Sequence, residues 1–195
     1  DDDELAEIGR RHGVDVPFMR PANLADDTAT GLDVILHALR TLQASGEHYD
    51  YVVMLQPTSP LRTAQDINAA IALLREKNAD AVISVCETDH PPEWSNQWPD
   101  DGAMNDFFRP GIRNTRSQDL PKSYRLNGAV YVYNCARLLE TGSLAMDDNS
   151  YAYVMPRERS SGALSILSKS TPWPPPRAAI TLVMAEVSVV LPWST

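Results

Sequence analysis

The chain has 195 residues, 43% hydrophobic and 22% charged, a composition typical of one globular domain with a real core. Its formal net charge of −9 argues against general binding to nucleic acid or to anionic membranes, because phosphate-dominated affinity requires a basic surface. No apolar run reaches the roughly 18 residues of a membrane span, and the acidic start is unlike a signal peptide, so we expect a cytoplasmic protein.

The first part of the chain predicts two helices. Residues Asp3 to His12 have the apolar spacing of the end of a helix, and Gly13 is its stop signal. Asp26, Asp27 and Thr28 are typical N-cap residues for a second helix. The apolar face of that amphipathic helix is formed by Leu32, Ile35, Leu36 and Leu39.

Two continuous apolar runs flank a third predicted helix. Tyr51 to Leu55 and Ala81 to Cys86 have the length and composition of strands that are buried on both faces of a parallel sheet. Between them, Ala64 to Lys77 has the periodicity of an amphipathic helix. Strand, helix and strand with short connections predict an α/β fold with a right-handed crossover.

The second half of the chain predicts an arm, a return to the sheet and a tail. Residues 89–124 are rich in proline, tryptophan and charge, and we interpret them as an excursion from the sheet. Strands near Ala129 to Tyr133 and Tyr151 to Met155 follow, with a short helix near Ala136 to Leu139 between them. Residues 161–195 contain many prolines and one acid, Glu186, so we interpret them as a tail outside a domain of residues 1–160.

The segment from Gln56 to Arg62 follows the first predicted strand, at the end of the strand where open α/β sheets bind ligands. Its two prolines restrict the backbone, so that Thr58, Ser59 and Arg62 take defined positions. A binding loop and a rigid strand-to-helix turn both fit these residues.

A basic cluster lies in and just after the predicted arm. It contains Arg109, Arg113, Arg116, Lys122 and Arg125. Arginine forks suit carboxylates and phosphates, but solvated surface charge explains the cluster equally well. Asn127-Gly128 fits either a turn or an amide at the edge of a pocket. The cysteines and histidines have no metal-ligand spacing.

Five segments of the chain together resemble one known family. They are Arg20-Pro21-x-x-Leu24-Ala25-x-Asp27-Thr28-Ala29, Leu55-Gln56-Pro57-Thr58-Ser59-Pro60-Leu61-Arg62, Asp80-Ala81-Val82-Ile83-Ser84-Val85 leading to His90-Pro91, Arg116-Ser117-Gln118-Asp119-Leu120-Pro121 and Arg125-Leu126-Asn127-Gly128-Ala129-Val130-Tyr131. In this order they resemble the CMP-sialic acid synthetases, or N-acylneuraminate (nonulosonic acid) cytidylyltransferases. The resemblance runs from Asp1 to about Ser160.

The resemblance implies a Rossmann-like three-layer sheet of the nucleotide-diphospho-sugar transferase type, with a dimerisation arm at about 89–124 and a homodimer. It implies transfer of CMP from CTP to a nonulosonic acid of the sialic or legionaminic type, with release of pyrophosphate and with Mg²⁺ as cofactor. The implied nucleotide-binding residues are Arg20, Asp27 and Thr28. The implied sugar-binding residues are Gln56, Arg116, Arg125 and Asn127, supported by Thr58, Ser59 and Arg62.

The chain departs from the family pattern at both ends. The family begins with a strand and a Gly-, Arg- and Lys-rich loop for the triphosphate, and we expect this chain to start after them. The family also has an Asp-x-Asp metal motif after a segment like Arg157 to Ser160, but here residues 162–166 contain no carboxylate. We therefore assign no catalytic or metal-binding residue, expect negligible synthetase activity, and hypothesise a frameshift near Ser161.

Two other functions stay open at this point. The chain could be another 2-keto sugar acid cytidylyltransferase, such as a CMP-Kdo synthetase, although the segment from Arg116 to Tyr131 argues against this. It could also be a non-catalytic binding or dimerisation module. Loss of the family's first strand would expose an edge of the sheet, which argues against a well-behaved module.

Overall fold

The computed structural model describes residues 2–26, 28–56, 58–97, 100–104, 107–108, 111–144, 148–160 and 188–189. The described helices are α1 (Asp3–Arg11), α2 (Gly31–Ala44), α3 (Ala64–Lys77) and α4 (Cys135–Thr141). The described strands are β1 (Tyr51–Met54), β2 (Ala81–Glu87), β3 (Tyr124–Asn134), β4 (Ser150–Val154) and β5 (Ser188–Val189). None of the described helices is long and apolar enough to cross a bilayer.

A capping box sets the start of α2. Asp33 N donates to Thr30 Oγ1 at 3.2 Å, and the Asp33 carboxylate accepts from Thr30 N, also at 3.2 Å. The cap predicted at Asp26, Asp27 and Thr28 is therefore wrong, because the helix begins further along the chain. Asp26 instead closes a turn by accepting from Thr28 N at 2.8 Å, and Asp27 lies outside the described residues.

The sheet is mixed, which corrects the parallel sheet expected from the apolar runs. Its strand order is β4-β2-β3-β1-β5, and β3 runs antiparallel to both β1 and β2. The physical reason lies in the arm, since Thr88 N donates to Ser123 O at 2.9 Å where the chain leaves β2 and re-enters β3. A strand that starts beside the end of its neighbour must run back along it. β1 and β2 stay parallel to each other, and β4 is parallel to β2.

The core lies on both faces of the sheet. On one face, β-strand residues such as Val82 and Val130 pack against α3, including Leu74. On the other face, Val52 and Ile83 belong to a cluster that includes residues of α2 and α4. Neighbouring residues of a strand enter opposite cores, as the two-residue period of a strand requires. The predicted three-layer, Rossmann-like α/β fold is confirmed.

The arm and the tail are described in part. Two short 3₁₀ turns lie in the arm, Pro92–Trp94 and Ser117–Asp119, and its described apolar side chains Trp94, Met104 and Phe108 are exposed. None of the described residues between β2 and β3 belongs to a strand, and a role of this segment as a dimerisation arm stays a prediction. In the tail, β5 pairs with Val53 and Met54 of β1. The domain limit at residue 160 and a frameshift stay predictions.

Candidate functional site

One buried guanidinium joins the Gln56 loop to β3. Arg62 Nη1 donates to the carbonyl oxygens of Gln56 at 2.5 Å, Ser59 at 3.0 Å and Ala129 at 3.2 Å. Burial lowers the pKa of Arg62 to about 10, so the group stays charged at neutral pH. The carbonyl dipoles compensate the buried charge and fix the loop at the end of β1.

Ser59 provides a second link between the same two elements. Its side chain is buried, and Oγ donates to the carbonyl oxygen of Asn127 at 3.2 Å. The Ser59 amide also donates to the carbonyl oxygen of Gln56 at 3.2 Å, which closes the turn. Thr58 is exposed, and Pro57 lies outside the described residues. The loop is therefore a rigid turn whose exposed surface can also contact a ligand.

The side chain of Gln56 lies against Gly128. A Cβ at position 128 would come within 2.4 Å of Gln56 Oε1, and Gly128 has a φ of +69°. The positive φ favours glycine, and a Cβ here would displace the end of the Gln56 side chain. Sequence reasoning linked Gly128 to the close approach of a ligand, whereas the structure places the Gln56 amide there. Among the described residues, this amide has no hydrogen-bond partner.

The Asn127 amide is engaged at both of its polar atoms. Its Oδ1 accepts from Ser84 Oγ at 2.6 Å, and its Nδ2 donates to Ser160 Oγ at 3.0 Å. Ser84 and Ser160 are both buried, and Ser84 Oγ also accepts from Val130 N at 2.8 Å. Asn127 thus connects β2, β3 and the segment after β4. The sugar contact predicted for Asn127 would compete with these bonds.

The segment after β4 is also fixed to the start of α3. Arg159 donates to the fully buried Asp66 through Nη2 at 2.9 Å and Nε at 3.2 Å. Tyr153 OH donates to the same carboxylate at 3.1 Å. Burial by itself would raise the pKa of Asp66, but hydrogen bonds from Arg159 and Thr63 outweigh it, and the pKa is lowered. Asp66 is therefore an ionised anchor at neutral pH.

Two arginines converge on one carboxylate at the end of β2. Arg157 Nη2 donates to Asp89 Oδ1, and Arg125 Nη2 lies 3.9 Å from Asp89 Oδ2. All three side chains are about half exposed, at 50%, 47% and 59% for Arg157, Arg125 and Asp89. The hydrogen bond from Arg157 is the largest cause of the lowered pKa of Asp89. Sequence reasoning noted Arg157 only as part of the segment before the expected metal motif.

The other predicted site residues lie elsewhere. Arg116 Nε donates to Asp119 at 2.8 Å within its own exposed turn. Arg20 and Thr28 lie between α1 and α2, and Thr28 Oγ1 donates to Asp26 at 2.6 Å. That hydrogen bond is the largest cause of the lowered pKa of Asp26. Arg109, like Asp27, lies outside the described residues.

Among the described residues, no group of three or more His, Cys, Asp and Glu side chains is placed to hold a metal ion. The residues present there do not fit a Mg²⁺ site, which needs several hard oxygen ligands. The Mg²⁺ requirement implied by the resemblance stays a prediction.

Comparison with known proteins gives a consistent result. The chain is 28% identical over 157 residues to the pseudaminic acid cytidylyltransferase of Campylobacter jejuni, covering 80% of this chain and 67% of that protein. It is 26% identical over 149 residues to the CMP-N,N′-diacetyllegionaminic acid synthase of Legionella pneumophila, covering 73% and 61%. It is 32% identical over 158 residues to the N-acylneuraminate cytidylyltransferase of Streptococcus agalactiae, covering 80% and 37%. No family model matches the chain.

The mixed sheet with helices on both faces is consistent with a Rossmann-like nucleotidyltransferase fold. Over 73–80% of its length, the chain is similar to the cytidylyltransferases and the CMP-sugar synthase named above. It spans about two thirds of the length of the first two relatives and just over a third of the third.

Proposed function

We propose that the chain serves the transfer of CMP from CTP to a nonulosonic acid, and that the sugar acid binds between Gln56 and Arg125. A hydroxyl of the sugar releases its proton to water and attacks the α-phosphate. A new P–O bond forms, the bond from the α-phosphorus to the bridging oxygen breaks, and pyrophosphate leaves with the electrons of that bond. Such transfers depend on positioning and on neutralisation of charge. The single observation that carries this proposal is the Gln56 amide, which lies against Gly128 on a loop whose backbone is fixed by Arg62 and Ser59.

The chemistry of the proposed contacts suits a sugar acid. Arg125 lies on β3 in register with Cys86 of β2, and Gly128 lies between Leu126 and Tyr131, where that register shifts. An amide at one end can bond hydroxyl or acyl groups, and a guanidinium at the other can bind a carboxylate through two hydrogen bonds. A nine-carbon sugar acid presents both kinds of group at its two ends.

The nucleotide, the metal and the partner subunit belong to the same proposal. Arg20, Asp27 and Thr28 would contact CTP, and a requirement for Mg²⁺ is part of what the resemblance implies. A homodimer is supported by the exposed apolar side chains of the arm, Trp94, Met104 and Phe108. We place the reaction in the cytoplasm and favour a sialic or legionaminic acid substrate, because the Gln56 loop resembles that branch.

A second candidate is a protein that binds sugar acids without transferring CMP. The observation that favours it is the sequence after Glu158, in which the next acidic residue is Glu186. Residues 159–185 therefore offer no carboxylate ligand for a catalytic metal. This candidate predicts negligible pyrophosphate release from the chain.

One experiment separates the candidates. The purified chain is incubated with CTP and N-acetylneuraminic acid, with and without Mg²⁺, and pyrophosphate release is followed. Binding of the sugar acid is measured in parallel by isothermal titration calorimetry. Release at rates typical of the family supports the full enzyme and refutes our expectation of inactivity. Binding without release supports the second candidate, and absence of both contradicts the proposed function.

A further inference from the structure

We propose that Arg157 is a second carboxylate-binding residue of the sugar-acid site and acts beside Arg125, with Asp89 holding the two guanidiniums together. This inference rests on the function proposed above. It replaces Arg116, which the sequence predicts as the partner of Arg125.

Arg125 and Arg157 reach the same face of the sheet. Arg125 pairs in register with Cys86, and directly paired residues of neighbouring strands lie on one face. Ser84 lies two residues before Cys86 on that face, and its hydroxyl bonds Asn127. Asn127 in turn bonds Ser160, so the segment that carries Arg157 runs over this same face.

Arg157 is held in place by anchors on either side of it. Before it, Met155 N donates to the carbonyl oxygen of Val85 at 2.8 Å, and Met155 is buried. After it come the Arg159–Asp66 and Ser160–Asn127 contacts described above. These anchors connect one short segment to β2, α3 and β3. Binding a ligand through Arg157 therefore costs little backbone entropy, because the segment is already ordered.

The net charge of Arg125, Arg157 and Asp89 is positive, which favours binding of an anion. Two arginines and one aspartate give a net charge of +1 at this point of a chain whose total charge is −9. The 3.9 Å separation between Arg125 and Asp89 is longer than a hydrogen bond. Among the described residues Arg125 makes no hydrogen bond, so its fork is available for a ligand carboxylate.

Arg116 differs from this pair. Its guanidinium already binds both oxygens of Asp119, through Nε at 2.8 Å and Nη2 at 3.3 Å. A ligand carboxylate would have to displace that bidentate partner. Arg157, by contrast, is joined to the same carboxylate that Arg125 approaches, so both guanidiniums can face one anionic ligand.

The test is titration of N-acetylneuraminic acid, and of its uncharged methyl ester, into wild type and four variants. We expect Arg157→Gln to weaken binding of the acid roughly tenfold, as for loss of one charge-assisted hydrogen bond. Arg157→Lys should retain part of the affinity, and binding of the ester should not change. Arg137→Gln, at the opposite end of the sheet, is the matched control that should bind like wild type, and Arg116→Gln should weaken binding of the acid less than Arg157→Gln does.

An unchanged affinity of Arg157→Gln for the acid would overturn the inference, and so would an equal loss for acid and ester. If wild type itself binds no sugar acid, the proposed function fails. Whether or not wild type binds the sugar acid, a second measurement tests the contact between Arg157 and Asp89. Arg157→Gln should move the pKa of Asp89 up towards its ordinary 3.8, measured by carboxyl-carbon NMR. If the pKa of Asp89 is the same in Arg157→Gln as in wild type, Arg157 does not bind Asp89.

Discussion

The Oε1 atom of Gln56 lies in the space that a Cβ on residue 128 would need, 2.4 Å from its position. Gln56 belongs to the loop after β1, and Gly128 lies within β3, so two elements that are distant in sequence meet with no spare volume between them. Arg62 and Ser59 also connect this loop to β3, through hydrogen bonds to carbonyl oxygens of β3. The shape of the candidate site therefore depends on a residue without a side chain.

Gly128→Ala tests this contact directly. The methyl group would strain a left-handed backbone and also displace Gln56, so we expect a loss of about 2–3 kcal/mol in the free energy of unfolding. Gly142→Ala is the matched control, because Gly142 has a φ of +57° and nothing lies within 4 Å of its Cβ position. Measured by urea unfolding, the control should lose about 1 kcal/mol in the free energy of unfolding. Equal losses in the two variants would show that Gln56 does not occupy this space.

Asp66→Asn should destabilise the domain markedly. The change leaves Arg159 without its charged partner and disturbs the capping box with Thr63. Removing one member of a buried ion pair costs about 3–5 kcal/mol. Because Arg159 is one-third exposed, we expect a smaller loss of about 2–4 kcal/mol in the free energy of unfolding. Asp119→Asn, in the exposed pair with Arg116, should change the free energy of unfolding by less than about 1 kcal/mol. Similar effects in both variants would contradict the anchoring role of Asp66.

Acid should destabilise the protein in a defined pH window. The pKa values of Asp26, Asp33, Asp66 and Asp89 are all lowered below their ordinary 3.8 in the folded state. Their stabilising contribution is therefore fully present above about pH 4–5 and is lost as the pH falls through the lowered values. Thermal midpoints measured from pH 7 to pH 2.5 should drop below pH 4, and Asp66→Asn should flatten the drop. A midpoint that stays constant down to pH 3 would be inconsistent with these shifts.

Asn127→Asp separates the two ends of the Asn127 amide. Aspartate keeps the acceptor for Ser84 but loses the donor to Ser160. We expect faster amide hydrogen exchange at residues 156–160, measured by mass spectrometry, with a loss of stability of about 1–3 kcal/mol. Asn149→Asp, which removes an exposed bond to Asn78, is the control and should leave that exchange unchanged. If Asn127→Asp also leaves it unchanged, Asn127 does not position the segment.

The two cysteines should be unreactive in the folded protein. Cys86 and Cys135 are both buried, and burial raises the pKa of the Cys135 thiol to about 12. Labelling with a thiol reagent at pH 8 should be slow in buffer and complete in urea. Rapid labelling of either thiol without denaturant would contradict the described packing.

Much of the fold is predictable because it depends on local patterns. Apolar periodicity and a capping box locate α3 at the predicted residues, Ala64 to Lys77. The start of α2 is misplaced because several possible cap residues precede it, and only the hydrogen bonds select Thr30. The length and direction of β3 are not predictable locally, since Tyr124 and Leu126 are exposed and the pairing depends on where the arm returns.

The candidate site is predictable only in part, because local sequence patterns do not show which distant residues pair. Gln56 and Arg62 are close in sequence and belong to one motif, so the sequence predicts that they share a loop. The Arg157–Asp89 bond joins residues 68 positions apart, and the Arg159–Asp66 bond joins residues 93 apart. No local signal pairs such residues, and the role of Ser84 is hidden in an otherwise apolar strand.

The most direct test of a sugar-acid site between Gln56 and Arg125 is calorimetric titration of N-acetylneuraminic acid into wild type, Gln56→Ala and Arg125→Gln. We predict saturable binding to wild type, weakened roughly tenfold or more by either substitution and unchanged in Arg137→Gln. Absence of binding to wild type, or equal affinity in all four proteins, would contradict the account.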